Sequence, residues 1–393
     1  MNDYILILNA GSSSLKFCVY RPPRKGDLEM VVRGQIEGIG SNALLSAKDG
    51  EGNRLVDKKP YAKIKDALSA LDVVAGWLRG QFKEARIVGV GHRVVHGGIS
   101  YFLPTIVTDD VIKDLRQLIP LAPLHQPYNL AAIEAVSERL PGVPQVACFD
   151  TGFHRGHDPV TDLIPLPENI RNQGIQRYGF HGLSYEYISS VAPLVAPEIS
   201  GGRIIVAHLG SGASLCAMRN GKSVDNTLGF TALDGLCMGT RPGALDPGVV
   251  LYLFQTLGLS AGEVENILYK KSGLLGISKI SNDMRILLDQ AGDKASLAID
   301  YFVYRAAKEV GAMTAVLKGL DSIIFTAGIG ENSPQIRQRI CEASSWLGIE
   351  LDEAANMSNR VRISNVNSKV AVFVIPTNEE LMIAKHLSNT LKL

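Results

Sequence analysis

The chain has 393 residues, a formal net charge of +1, 46% hydrophobic residues and 39 glycines, the profile of a soluble globular α/β protein of two or three domains rather than a fibre or a disordered chain. The balanced charge gives no basic surface for nucleic acid, no apolar run approaches the roughly 20 residues of a spanning helix, and the N-terminus enters a strand without a signal-peptide pattern, so a cytoplasmic protein with no membrane partner is expected. Cys18, Cys148, Cys216, Cys237 and Cys341 are scattered without CxxC spacing, which fits reduced thiols in apolar settings and argues against structural zinc.

In chain order, apolar and β-branched runs predict strands over 5–8, 15–20 and 31–36, arranged as a meander. Ile64, Ala67, Leu68, Leu71, Val74, Ala75 and Leu78 recur at helical spacing and predict a core-facing helix over 62–79. The run 87–90 leads into GHRVVHGG at 91–98, so a strand delivers His92, Arg93 and His96 to a loop. Prolines break regular structure between 120 and 127, a helix is predicted over 129–139, and 143–149 reads as a buried strand ending at Asp150. The second half begins the scheme again with strands at 204–208 and 214–219 and an Asn220-Gly221 turn into a further hairpin. After a Gly-rich stretch from Gly229 to Gly248, helices alternate as far as Lys318. Strands at 322–326 and 370–375 then run into AGIGENS and PTNEE, and a helix over 379–391 closes the chain. No low-complexity linker or charge run separates the halves.

Two segments look like copies of one device. Residues 4–17 read YILILNAGSSSLKF and residues 203–216 read RIIVAHLGSGASLC, so a shift of 200 lays Ser14-Leu15 on Ser214-Leu215. Each is a hairpin with a small-residue tip, where glycine admits positive φ and N–H groups and hydroxyls suit a phosphate. Two such tips predict a duplicated fold that grips a polyphosphate from both sides.

Arg93 and Arg241 lie in Gly-flanked loops, where a guanidinium can hold a carboxylate or phosphate bidentately. Beside a polyphosphate, such cations suit transfer of a phosphoryl group, which needs alignment and positive charge around the group in flight. Asp150, at the mouth of a sheet, has three readings: orienting Arg93 and the substrate, helping to position a magnesium ion, or capping local N–H groups. Glu379 and Glu380 are equivalent on sequence grounds as first-turn helix carboxylates.

The motifs NAGSSSLKF at 9–17, HRVVHGG at 92–98, FDTGFH at 149–154, RYGFHGLSY at 177–185, HLGSGAS at 208–214, GFTALDGLCMGTRPGALDPG at 229–248, GIGENSP at 328–334 and PTNEEL at 376–381 resemble, in this order and across nearly the whole chain, those of the acetate kinase family. Each motif alone is weak, whereas the series is specific. The resemblance implies two duplicated actin/ribonuclease-H-like α/β domains with a nucleotide and substrate cleft between them. The first would cover 1–150 with the helix 379–393, and the second 151–378, in a homodimer. It implies reversible, direct in-line transfer of the ATP γ-phosphoryl group to acetate, giving acetyl phosphate and ADP, with magnesium, or manganese in its place. It assigns Arg93 to the substrate, Arg241 to the transferred phosphoryl group, His181 to transition-state stabilisation, and treats Asp150 as essential. The acyl pocket would comprise Val95, Leu124 and Phe180. The nucleotide would meet Lys16, His208, Leu209, Gly210, Ser211, Gly212, Asp283, Met284, Arg285, Gly328, Ile329, Gly330, Glu331 and Asn332. Asn9 and Glu379 would hold the metal. His125 resembles a further active-site histidine, while His92, His96 and His154 lie in matching segments with no chemistry the sequence assigns.

The chain departs from the family pattern in two places. Ser211 stands where an asparagine is usual, and Ala232 and Asp234 stand where proline and glutamate are usual. Loss of the proline ring from the acyl wall would admit one more methylene, a difference of ~1–3 kcal/mol in such pockets. The rivals are therefore a propionate or broader short-chain acyl kinase and, from another class, an actin- or chaperone-like ATPase module.

Overall fold

Strands whose residues alternate between core and solvent pair so that one face is buried throughout. The structure, a computed structural model, describes residues 2–11, 13–22, 27–61, 64–82 and 85–393. It divides into two units, Met1–Gly152 with Asn378–Leu393, and Phe153–Thr377.

In the first unit the described strands are β1 (Asn2–Ala10), β2 (Ser14–Arg21), β3 (Glu29–Glu37), β4 (Ala43–Asp49), β5 (Arg54–Tyr61), β6 (Ala85–Val94), β7 (Thr105–Ile106) and β8 (Gln145–Phe149). They form one sheet in the order β5-β4-β3-β2-β1-β6-β8-β7. β1 to β5 make an antiparallel meander, β6 and β8 continue from β1 in parallel, and β7 closes the edge antiparallel. Parallel strands need crossovers. The helices Ala67–Gln81 and Gln126–Arg139 lie within them, burying Leu71, Val74, Ala132 and Val136 against Leu6, Leu8, Phe17 and Val90. The helix Glu379–Leu391 covers the opposite face at β6. There a Cβ on Gly91 would lie 2.6 Å from Ile383 Cγ2 and one on Gly89 2.8 Å from Leu391 Cδ1.

β4 and β5 extend the meander beyond the predicted strands. β5 is almost wholly solvent-facing and carries no alternation to read. The first helix starts at Ala67, because Asp66 caps it by accepting from the Ser69 N–H. Ala62, where the periodicity placed its start, lies outside the described residues. The helix predicted from Asn129 begins three residues earlier, with Pro127 in its first turn, where the missing N–H costs nothing.

In the second unit β9 (Arg203–Leu209), β10 (Ala213–Arg219), β11 (Lys222–Asn226), β12 (Ser322–Thr326) and β13 (Ala371–Val374) form a sheet in the order β11-β10-β9-β12-β13. Three antiparallel strands are followed by two parallel ones, the same sequence of pairings as β3-β2-β1-β6-β8. The duplication is thus in topology. The helix Gly182–Val195 packs Tyr185, Ile188 and Ala192 on one face, against Ile204, Val206, Ile324 and Phe373. The two tips differ in length: the first spans 11–14 between the paired Ala10 and Leu15, the second 210–212 between Leu209 and Ala213. The uniform shift of 200 therefore aligns residue types and not turn geometry. Ser12, in the first tip, lies outside the described residues.

No helix among the described residues is long and apolar enough to cross a membrane. All five cysteines are free and buried.

Candidate active site

In the first unit, β6 and β8 end side by side, and their register pairs Arg93 with Cys148 and Val94 with Phe149. This sets Arg93 beside Asp150, the residue that follows β8. Arg93 Nε and Nη2 donate to Asp150 Oδ1 at 3.0 Å and Oδ2 at 2.6 Å. Arg93 Nη1 reaches Asn9 Oδ1 at 3.4 Å, and Glu379 Oε2 lies 3.7 Å from Nε. Three residues named from distant motifs, Asn9, Asp150 and Glu379, thus meet around the Arg93 guanidinium. Burial opposes the Arg93 charge, but Asp150 and Glu379 outweigh it and hold the group above its ordinary value. Burial pushes the Asp150 carboxyl up, and Arg93 pulls it back.

The loop after β6 is held by two buried amides that the sequence reading missed. Asn129 Oδ1 accepts from the Val95 N–H at 3.0 Å, while its Nδ2 donates to the Ala10 carbonyl at 2.9 Å. Gln126 exchanges hydrogen bonds with the His96 backbone. Gln126 lies in the Pro-interrupted stretch in which the sequence marks Leu124 and His125, and Asn129 opens the helix predicted over 129–139, so neither amide carries a motif of its own. His125 stands at the N-cap of the helix Gln126–Arg139. Val95 is buried and Leu124 half-buried in this unit, whereas Phe180, buried, and Ala232, half-buried, belong to the second.

In the second unit, β9 ends at Leu209 and the tip Gly210–Ser211–Gly212 turns into β10. The Gly239 N–H donates to the Ser211 carbonyl at 3.0 Å, tying the Gly-rich stretch to the tip. A Cβ on Gly212 would fall 2.8 Å from Arg241 Nη2 and 3.3 Å from His181 Nε2. Only glycine leaves room for both groups there. His181 Nδ1 lies 2.8 Å from Ser214 Oγ, and its ring stacks on His208 with centroids 4.2 Å apart. His208 Nδ1 lies 2.8 Å from Ser184 Oγ. Arg241 Nη1 donates to the Ala232 carbonyl at 2.6 Å, and among the described residues no carboxylate pairs with it. Burial pushes this guanidinium down to about 10, so it is a cation short of a counter-charge.

Beside the tip lies a cavity of about 620 Å³ lined by Gly210, Ser211, Asn282, Asp283, Met284, Arg285, Gly328, Ile329, Asn332 and Ser333. AGIGEN, into which the predicted strand 322–326 runs, is itself the helix Ala327–Asn332. Its two glycines face opposite ways. A Cβ on Gly328 would meet open space, whereas one on Gly330 would rest in ordinary contact with Phe325 and the Ala207 carbonyl, at 3.4 and 3.5 Å. Glu331 is turned inward as well, accepting from the N–H groups of Ala327 and Thr377 at 2.8 and 3.1 Å. Arg337, fully buried, donates to the Gly330 and Glu331 carbonyls at 2.9 and 3.0 Å and to Asn356 and Asn359. Asn282 and Ser333 line the cavity without having been read from the sequence. Lys16 does not line it; it stands exposed on β2 of the first unit, opposite Asn9.

Residues 4–385 match the sequence model of the acetokinase family. An acetate kinase from Nitrobacter hamburgensis is 50% identical over 98% of this chain and 95% of its own. One from Methylocella silvestris is 49% identical over 98% and 97%. Among solved structures, a propionate kinase from Francisella tularensis matches with a TM-score of 0.90 at 37% identity, covering 98% of this chain and 99% of that one. Acetate kinase from Porphyromonas gingivalis matches with a TM-score of 0.86 at 36% identity, covering 99% and 100%. With two α/β units of matching strand order and its motifs set at the strand ends, the chain belongs to the acetokinase family.

Proposed function

We propose that this protein is an acetate kinase that transfers the γ-phosphoryl group of ATP reversibly and in line to acetate, giving acetyl phosphate and ADP. The observation that carries this reading is Arg241, a half-buried guanidinium without a carboxylate partner among the described residues, facing Gly212 and His181 at the second tip. Such a cation is stabilised when a phosphoryl group arrives, and a preorganised charge costs no reorganisation as negative charge develops. His181 adds a donor beside it. Arg93, fixed by Asp150, serves the acceptor carboxylate, with Val95 and Leu124 of the same unit for its methyl group. The cavity from Gly210 to Ser333 takes the nucleoside, and the tip from His208 to Gly212 its phosphates.

Asn9 and Glu379 both present oxygens at the Arg93 guanidinium, a hard, sparse donor set that fits magnesium, which keeps water and phosphate as its other ligands. When bound, the ion neutralises charge on the nucleotide phosphates. Buried free thiols support a reducing, cytoplasmic setting. The helix Pro247–Gln255 buries none of its residues and exposes Leu251, Tyr252 and Phe254, which supports a homodimer formed through this face.

A propionate kinase is the second reading, favoured by Ala232 in place of the usual proline. The test is ADP release with magnesium-ATP against acetate, propionate, butyrate and no acid, with acyl phosphate trapped as hydroxamate. Acetate preference is expected. Equal or better propionate turnover would move the assignment to the broader acyl kinase, and ATP loss without hydroxamate would indicate an ATPase.

A further inference from the structure

The turn that carries His181 is left-handed at two of its three residues, and strained at the one that is not glycine. Gly179 has φ 72° and His181 has φ 59°, and a non-glycine residue in that region costs of order 1–3 kcal/mol unless its surroundings fix it. His154 is one such fixture. It is wholly buried, its Nε2 lies 2.9 Å from the Phe180 carbonyl, and its ring lies so close under Gly179 that a Cβ there would be 2.7 Å from Cγ and Cδ2.

The hydrogen-bond partners of His154 determine where the protons sit. A carbonyl only accepts, so His154 Nε2 carries a hydrogen. Burial pushes this imidazole down to about 3, so it is neutral and its Nδ1 is bare. Ser223 Oγ, 2.8 Å away, must therefore donate to Nδ1. With its one hydrogen used, Ser223 accepts from its other two neighbours, His157 Nε2 at 2.8 Å and the Cys216 thiol at 3.3 Å. His157 Nδ1 lies 2.9 Å from Asp162 Oδ1, and a carboxylate also only accepts. Elimination leaves His157 with both ring protons.

We propose that Asp162, His157, Ser223 and His154 form a polarised relay that fixes the tautomer of His154 and so positions the Phe180–His181 turn. His154 is a positioning residue in this relay, acting on the reaction through His181. The charged groups around the imidazolium are consistent with the assignment. Asp162 is shared with Arg155 Nη2 at 3.3 Å, and Arg177 is matched by Asp225 at 3.4 Å. The effect on turnover rests on the kinase reading above, whereas the proton positions do not.

Long-range ¹⁵N correlation spectra of the histidine-labelled full chain at pH 7 test the proton positions directly. His154 is expected as the Nε2–H tautomer and His157 as doubly protonated; a neutral His157, or a hydrogen on His154 Nδ1, would overturn the relay. Kinetics of the same protein test the positioning. Ser223→Ala should lower kcat roughly tenfold, about the loss of one hydrogen bond, with KM for ATP and for the acid within about twofold. Ser223→Thr, which keeps the hydroxyl, should restore it. Unchanged kcat in Ser223→Ala would overturn the positioning role. Asp162→Asn serves as the second variant, expected to show a neutral His157 and a lowered kcat. A wild type inactive with every acid would sink the kinase reading alone, and the relay would still be decided by the tautomers.

Discussion

Arg93 and Arg241 differ in how their charge is met, and the difference predicts different failures. Arg241 is uncompensated, so Arg241→Ala should leave the fold intact and lower kcat by about 10²–10³, the cost of losing one preorganised charge donor. Hydroxamate trapping at saturating ATP would measure it. Arg93 is compensated by a buried carboxylate, so Arg93→Met should also damage stability, by roughly 3–5 kcal/mol at pH 7. The damage has a pH sign. Burial already raises Asp150, and without Arg93 nothing of comparable strength pulls it back. A carboxyl whose folded value lies above its unfolded one contributes stability at low pH and loses it as pH rises through the folded value. The deficit of Arg93→Met against wild type should therefore shrink from pH 7 to pH 4 in urea unfolding, and a deficit constant with pH would refute the account. Arg93, Arg241, His181 and Asp150 were legible in the sequence, because each sits in a short motif with glycines that announce a loop. Asn129, Gln126, Asn282 and Ser333 were not. Their importance comes from which way a side chain turns once distant elements pack, and spacing along one segment does not encode that.

Among the elements, the helix Ala327–Asn332 shows how a motif divides between cavity and core. Gly328 faces the cavity, and Gly330 and Glu331 face inward. Arg337 satisfies its donors on the carbonyls of this helix and on Asn356 and Asn359. Lysine offers three donors from one point and cannot reproduce that fork. Arg337→Lys should therefore raise KM for ATP severalfold while KM for the acid changes little, measured by varying each substrate in turn. On the other sheet, Gly91→Val should force a methyl into Ile383 and cost about 1–3 kcal/mol, read from thermal or denaturant unfolding. The sequence disclosed the strands and helices that face a core on one side only, since alternation or helical spacing marks them. It was silent on β5, whose residues face water, and on the helix at AGIGEN, because six residues with two glycines carry no helical spacing to read.

For the whole molecule, each unit carries a buried neutral histidine. His92 is pushed down to about 4, mainly by burial, with Nε2 2.7 Å from Gln145 Oε1, and His154 is pushed down to about 3. An unfolded histidine binds its proton near pH 6.5, so below that the unfolded chain holds more protons than the native one. Stability is full above that value and falls with pH through the window down to about 4 for His92 and about 3 for His154. Each contributes a loss of roughly 3 kcal/mol by pH 4. Denaturant unfolding at pH 7, 6 and 5 should show this slope in both units, and a flat profile would mean that the histidines charge without unfolding.

The helix Glu379–Leu391 belongs to the first unit although the entire second unit precedes it in the chain. On the ribosome, β6 emerges long before the helix that covers Gly89 and Gly91, and Arg93 before Glu379. The first half of this protein must wait, partly assembled and with an apolar sheet face open, until the last residues are made. Nascent chains arrested before residue 379 should remain protease-sensitive in the segment that includes β6 and should recruit holdase chaperones, and release of the final helix should end both.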